Sequence, residues 1–250
     1  MKKLFAYPLS VVYYLFFGLV LVVFQPIQWF CFRFLGYQAH KKSVDYLNAC
    51  LLGCLTILGT RFRFDNPYQI PANKPYIIVS NHQGQYDIPP LIWYLRRLHP
   101  KFISKKSLGK GIPSISFNLR HGGSALIDRK DKIQALETIK NLTSYLKKYK
   151  RSVVIFPEGT RSKDGIPKHF AKGGLTTLFE NMSEAQILPV TINNSWKLMR
   201  WGAFPLDIGV TVAIKVHPTI PIQKPIEECI AQVEGIVLQN FDKINPRKSS

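Results

Sequence analysis

Two short stretches of this 250-residue chain carry side chains able to move a proton and hold an anion. The first is Ser80-Asn81-His82-Gln83-Gly84-Gln85-Tyr86-Asp87, which follows the apolar run Tyr76 to Val79. His82 is the best candidate base, and a carboxylate, Asp87, lies five residues on. Five residues turn a regular helix through roughly 500°, about 140° off-face, so one helix would not pair them. A loop running into a helix would. Asp87 suits a helix N-cap, and Pro89 and Pro90 suit a first turn. His82 then sits on the loop with Asp87 at the helix start, where a carboxylate can hold the imidazole as a general base. The spacing alone fits equally well an ordinary surface histidine and a helix cap.

The second stretch is Phe156-Pro157-Glu158-Gly159-Thr160-Arg161-Ser162, after the apolar run Ser152 to Ile155, which reads as a buried strand. Pro157 lacks an amide donor and Gly159 tolerates backbone angles closed to other residues, so the strand ends in a tight turn. A carboxylate, a hydroxyl and a guanidinium leave the sheet edge together. Amides and Thr160 can donate to an anion there, and Arg161 offers a planar fork for phosphate. A turn after a strand is often no more than a turn.

Together the two stretches resemble the glycerolipid acyltransferase family, most closely its 1-acyl-glycerol-3-phosphate (lysophosphatidate) acyltransferases. The family's Asn-His-four residues-Asp motif is seen at Asn81, His82 and Asp87, and its Phe-Pro-Glu-Gly-Thr-Arg motif stands unchanged at Phe156 to Arg161. Between them, Gly123, Ile127, Asp128 and Arg129 match the second motif, and Leu188-Pro189-Val190 matches the fourth. The run Lys105-Lys106-Ser107-Leu108 with Ile112-Pro113 also looks like bacterial members. The chain departs from the pattern after the third motif: the family has Phe-Lys, whereas here Phe170 is followed by Ala171 and Lys172, so no role passes to Lys172.

The resemblance implies transfer of a fatty acyl group from an acyl thioester to the sn-2 hydroxyl of 1-acyl-glycerol-3-phosphate, giving phosphatidic acid. Another lysolipid acceptor is the alternative. In this reading His82 is the base and Asp87 orients it. Arg129, Glu158, Gly159, Thr160, Arg161 and Pro189 belong to the substrate site. The two arginines hold the phosphate; Glu158 fixes them or meets the acceptor hydroxyl; Pro189 and Val190 line the acyl site or are plain core strand. For Arg129 the residues alone would favour a surface pairing with Asp128 or Asp131. No metal or redox cofactor is implied; acyl-CoA or acyl-acyl carrier protein is the co-substrate. There is no Gly-x-Ser-x-Gly, so the residues favour direct attack over an acyl-enzyme.

These groups need a scaffold to hold them. Strands are expected near Arg61 to Phe64, Tyr76 to Ser80, Lys101 to Ser104, Ala125 to Ile127, Ser152 to Ile155, Ile187 to Ile192 and Val210 to Val216. Helices are expected near Ile88 to Leu98, Lys130 to Tyr149, Lys172 to Asn181 and Pro225 to Gln239. In the second of these, Ile133, Leu136, Ile139, Leu142 and Leu146 keep the steps of one buried stripe. Alternating strands and helices predict an α/β sandwich with a central mixed sheet. It would occupy residues 61–250 as a catalytic domain, with a frayed tail over 245–250.

Ahead of it, residues 1–60 predict a two-helix membrane element. Phe5 to Phe24 is twenty residues without a charge, long enough for a bilayer core of ~30 Å. No small-residue cleavage site follows, which disfavours a signal peptide. Pro26 is expected to kink or end the helix, Trp29 to anchor at the interface. Ala49 to Leu58 is too short to span and suits a half-embedded helix. Basic residues flank the first segment on both sides, so charge does not choose an orientation. A monotopic anchor is expected, a true span being the alternative. The resemblance implies insertion from the cytoplasmic side, in bacteria the inner membrane. The four cysteines form no CxxC or Cys/His cluster and read as free thiols, with Cys50 and Cys54 buried.

Lys and Arg number 34 against 15 Asp and Glu, a net charge of +19. Residues 101–172 alone hold 17 basic against 5 acidic side chains. Such an excess needs an anionic partner, here membrane lipid and a phosphorylated substrate. Nucleic acid is not expected: no zinc knuckle, helix-turn-helix or aromatic ribonucleoprotein signature is present. A membrane hydrolase using the same His and Asp would lack a Ser, Cys or metal partner.

Overall fold

The computed structural model describes residues 1–162 and 164–244. Residues 245–250, the expected frayed tail, lie outside the described residues. Fifteen helices and strands follow one another as α1 (Lys2–Phe30), α2 (Tyr37–Thr56), β1 (Arg61–Asp65), β2 (Tyr76–Ser80), α3 (Ile88–Tyr94), β3 (Lys101–Lys105), α4 (Ile115–His121), β4 (Ala125–Ile127), α5 (Lys132–Tyr149), β5 (Val153–Ile155), α6 (Lys172–Asn181), β6 (Gln186–Asn193), β7 (Thr211–Val216), β8 (Ile220–Pro221) and α7 (Ile226–Ile244).

The strands form one mixed sheet in the order β1-β7-β6-β2-β5-β3-β4, with β8 paired to β6. Strands β6, β2, β5, β3 and β4 run parallel to one another, while β7 and β8 are antiparallel to β6. The two-residue period of a strand divides the core into two layers. Tyr76 and Ile78 of β2 face a cluster with Leu55 of α2, Leu58 just after it, Leu91 of α3 and Tyr13 of α1. Ile77 and Val79 face the opposite cluster, with Leu146 of α5, Leu178 of α6 and Val233 of α7. The expected α/β sandwich with a mixed sheet is therefore observed.

Several local expectations are corrected. Pro26 neither ends nor breaks α1, which runs on to Phe30 and through a wider turn at Cys31–Leu35. The missing amide removes one hydrogen bond in a long helical run, and the chain turns instead at Gly36, whose φ of 81° suits glycine. The second helix begins at Tyr37, well before the apolar run Ala49 to Leu58, because its polar first half is buried against the domain at His40, Ser43, Asp45 and Asn48. Cys50 is exposed, and only Cys54 of that pair is buried. Ile133 is 81% exposed, so the buried stripe of α5 runs through Ile139, Leu142 and Leu146. The helix expected over Ile88 to Leu98 ends at Tyr94 and is followed by a 3-10 turn, Arg96–Leu98. Helix α4 and strand β8 were not expected from the sequence.

The two N-terminal helices form part of one layer of the sandwich. Ser10 Oγ accepts the Leu206 amide at 2.9 Å, and Lys2 pairs with Asp207 at 2.9 Å. Ser114 Oγ donates to the Leu21 carbonyl at 2.6 Å. The outward side of α1 is apolar, with Phe5, Leu15, Leu19 and Val22 exposed. By length and composition it is the one described helix able to cross a membrane.

Candidate active site

The parallel strands deliver the candidate residues to one edge. Strands β2 and β5 are neighbours in register, Val79 beside Ile155. The turns that follow them, Ser80 to Asp87 and Phe156 to Ser162, therefore emerge side by side. Strand β4 lies parallel to β3, with Ile127 beside Lys105, so Arg129 leaves from the same edge. In open α/β sheets ligands bind outside these carboxyl ends.

His82 Nδ1 and Asp87 Oδ2 are 2.8 Å apart. The same Oδ2 accepts the amides of Gln83 at 2.7 Å and Gly84 at 2.9 Å. A carboxylate oxygen taking two N–H bonds acts as an acceptor, so Nδ1 carries the proton and Nε2 is the basic nitrogen. Asp87 is fully buried and His82 is 8% exposed. The imidazole stacks on Phe156, centroids 4.1 Å apart and 17° from parallel. This fixes the ring plane from the second turn.

The route to this pairing differs in one respect from the expected cap. Asp87 makes no side-chain cap bond to α3. It closes the preceding 3-10 turn, Gln85–Asp87, by reaching back to the Gly84 amide. The loop therefore curls around the carboxylate, and Pro89 and Pro90 begin the helix beyond it.

Glu158 is also buried, and it ties the two turns together. Its Oε1 accepts the His82 amide at 2.7 Å and its Oε2 the Lys168 amide at 2.9 Å. Burial pushes its carboxyl above the ordinary glutamate value, and the two amide bonds oppose that. The described contacts thus place it on backbone, not on an arginine. Ser162 N donates back to the His82 carbonyl at 2.9 Å.

Arg129 Nη1 donates to the Gly159 carbonyl at 2.6 Å. Asp128 and Asp131 are engaged elsewhere, Asp128 with the Lys130 amide and Asp131 as the cap of α5 on Gln134 N. Burial, and then the charge of Arg161, push Arg129 below the ordinary arginine value. The two guanidinium groups are thus electrostatic neighbours of each other. Gly159 has φ 68°, and Thr160 Oγ1 accepts from Lys168 Nζ at 3.0 Å. Pro189 is apart from this group: it is buried in β6 opposite Val79 of β2, within the sheet. Lys172 is at the start of α6, near Glu227 at 4.0 Å.

Two contributors carry no sequence signal strong enough to have been singled out. Gln83 and Ser195 are buried beside Asp87, and Ser195 arrives from the far end of β6, more than a hundred residues away. An Asn before a Ser at a strand end is a turn signal, but it does not say what the serine meets. Among the described residues no group of three or more His, Cys, Asp or Glu is arranged to hold a metal ion.

The architecture is that of an α/β protein with a buried imidazole–carboxylate pair and two arginines at the carboxyl edge of its sheet. The chain belongs to the Acyltransferase family, whose profile matches residues 61–193. It is 32% identical over 142 residues to the 1-acyl-sn-glycerol-3-phosphate acyltransferase of Saccharomyces cerevisiae, covering 53% of this chain and 44% of that protein. Over 184 residues it is 28% identical to the protein of that name from Borreliella burgdorferi, covering 74% and 71%. Over 134 residues it is 38% identical to that of Helicobacter pylori, covering 52% and 53%. The chain thus spans less than half the length of the yeast protein it matches. The crystal structure of the 1-acyl-sn-glycerophosphate acyltransferase PlsC from Thermotoga maritima has the same fold, with a TM-score of 0.79, full coverage of both chains and 22% identity.

Proposed function

We propose that this chain transfers a fatty acyl group from an acyl thioester to the sn-2 hydroxyl of 1-acyl-glycerol-3-phosphate, giving phosphatidic acid. The observation that carries the reading is the 2.8 Å contact between His82 Nδ1 and Asp87, with Arg129 and Arg161 as charged neighbours at the same edge. The relatives' printed names supply the substrate class.

A secondary hydroxyl is a poor nucleophile at neutral pH. His82 Nε2 takes its proton as the oxygen attacks the thioester carbonyl, a contribution of about 10²–10⁴ in rate. Asp87 steadies the imidazolium that forms. The tetrahedral oxyanion collapses with cleavage of the C–S bond, and the imidazolium returns the proton to the departing thiolate. Arg129 and Arg161 grip the phosphate, so that the hydroxyl and the thioester meet at His82. The thioester is already activated, so the reaction calls for no cofactor. The donor is acyl-CoA or an acyl carrier protein.

Residues 1–60 are the membrane-anchoring element in this reading, and residues 61–250 the catalytic domain. The apolar outer side of α1 lies in the bilayer on the face where acyl thioesters are made, the cytoplasmic one. Acyl transfer by the purified protein in detergent, with 1-acyl-glycerol-3-phosphate against the same lysolipid lacking its phosphate, tests the whole. Strong preference for the phosphate form is expected. Equal use of both would reassign the acceptor to another lysolipid, and release of free fatty acid would make the protein a hydrolase.

A further inference from the structure

We infer that Ser195 is a positioning residue for the His82–Asp87 pair, an inference that rests on the reading above. Asp87 presents two oxygens to a fully buried site. Oδ2 is occupied by His82 Nδ1 and the amides of Gln83 and Gly84. Oδ1 accepts the hydroxyl of Ser195. The carboxylate is therefore gripped from both ends, and rotation about its Cβ–Cγ bond would break a bond on each oxygen.

The serine is aimed by its own segment. Strand β6 runs parallel to β2, Val190 beside Ser80, so it arrives at the same edge as the histidine loop. Asn81 fastens the two strand ends: its amide group donates to the Ile192 carbonyl and accepts the Ile192 amide, both at 2.7 Å. Asn194 then turns the chain with φ 68°, a left-handed angle that asparagine tolerates better than most residues. The turn points the Ser195 amide at Gln83 Oε1, 3.0 Å away, and the Ser195 hydroxyl at Asp87. Gln83 and Ser195 are both buried, so these bonds are shielded from water. The segment also reaches the other turn. A Cβ on Gly165 would come within 2.2 Å of Trp196 Nε1, so the loop after Arg161 lies directly on the residue that follows the serine.

The chemical consequence follows from charge. A donor on Oδ1 draws negative charge away from Oδ2 and holds the carboxylate in the plane that meets Nδ1. Without it, the carboxylate can swing and the imidazole loses its fixed direction. The charge left on Oδ2 rises, which favours the imidazolium. Glu158 faces the same pair from the Phe156 turn and is untouched by the change.

The test is Ser195→Ala in the full chain, with Ser195→Thr as the variant that keeps the hydroxyl. Expected for Ser195→Ala is a fall in kcat of about 10- to 100-fold, part of the 10²–10⁴ a positioned base supplies. KM for donor and acceptor should stay within about twofold, and the acid limb of kcat/KM should move to higher pH. By NMR, the His82 Nδ1 proton should exchange faster with water. Ser195→Thr should restore kcat, the acid limb and the proton exchange. Should Ser195→Ala not fold, Ser195→Cys replaces it with a weaker donor and the same expected directions. Wild-type kcat, or a lower kcat with the acid limb and proton exchange unmoved, overturns the inference. If the wild-type protein transfers no acyl group, the proposed function fails, and the proton exchange alone decides whether Ser195 holds the pair.

Discussion

Glu158 accepts the backbone amide of His82, 2.7 Å from Oε1, so a glutamate of one turn sets the height of the histidine on the other. Its second oxygen takes the Lys168 amide at 2.9 Å, which closes the loop after Arg161 over the same carboxylate. The glutamate acts on the site through backbone. Glu158→Gln makes this measurable. An amide keeps one acceptor and turns two donors against the remaining N–H. That leaves a buried donor without a partner, at about 1–3 kcal/mol. The expected result is a lower melting temperature together with a fall in kcat of about tenfold or more. A variant with wild-type kcat at a lowered melting temperature would limit Glu158 to stability.

Arg129 and Arg161 can be separated from that framework by substrate. Hydrogen bonds to charged groups contribute about 1.5–3 kcal/mol, which is roughly 10- to 150-fold in kcat/KM. Arg161→Ala should lose that much for 1-acyl-glycerol-3-phosphate and far less for a lysolipid without phosphate, with the donor KM unchanged. Arg129 also holds the Gly159 carbonyl, so Arg129→Ala should lower activity toward both acceptors. Steady-state kinetics with the two acceptors checks both. A rise confined to the donor KM in Arg161→Ala would move that arginine to the donor site.

Much of this site is legible in the sequence, and the reason is local. The runs Tyr76 to Val79 and Ser152 to Ile155 are too apolar to be anything but buried strands, and each ends in residues that force a turn. The five-residue step from His82 to Asp87 excludes one helix and demands a loop, as observed. The contacts of Glu158 and Ser195 were not legible, because they depend on which strands lie side by side. The order β6-β2-β5 joins residues up to 112 positions apart, and no local pattern encodes it. Ile133 shows a related limit. Periodicity gives the face of α5, but not how far the opposing surface extends. Pro26 shows that one lost hydrogen bond does not outweigh a long helical run.

Lys101 gives the protein a stability that depends on pH. It is 6% exposed at the start of β3 and donates to the Tyr37 hydroxyl. Burial, and then the charges of Arg151 and Lys41, lower its pKa from 10.5 to about 7. Between those values the unfolded chain holds a proton that the folded chain lacks, so stability rises with pH across that window. Below about pH 7 both states are protonated and the folded one bears the buried charge in full. His99 adds the same sign lower down: burial takes it from 6.5 to about 2, so acidification through that range also destabilises. Lys101→Met should therefore raise the melting temperature at pH 6, by an effect of roughly a few kcal/mol, with the gain shrinking toward pH 10. Melting curves in detergent at pH 6, 8 and 10 check it. A destabilised Lys101→Met at pH 6 would mean that its hydrogen bond outweighs the buried charge.

The N-terminal helices serve two surfaces, and substitutions can address them one at a time. Tyr13 of α1, Leu55 of α2 and Leu58 just after it are buried in the same cluster as Tyr76, Ile78, Leu188 and Val212 of the sheet. Deleting residues 1–60 would bare that whole face, so the remainder should aggregate rather than fold as a free domain. The outward side is different. Leu15 and Leu19 are 68% and 57% exposed and lie one turn apart, where neither is part of the core. Leu15→Glu with Leu19→Glu should leave the melting temperature in detergent unchanged, since no packed contact is lost. On liposomes the same pair puts two carboxylates where the helix meets hydrocarbon, at about 2.5–3.5 kcal/mol each for an acidic residue deep in a span and less at the interface. Flotation with liposomes should therefore show the double variant moving to the soluble fraction, with activity in detergent retained. Full liposome binding by that variant would place the membrane contact elsewhere on the molecule. A well-folded, active protein lacking residues 1–60 would mean that α1 and α2 contribute little to the core they cover.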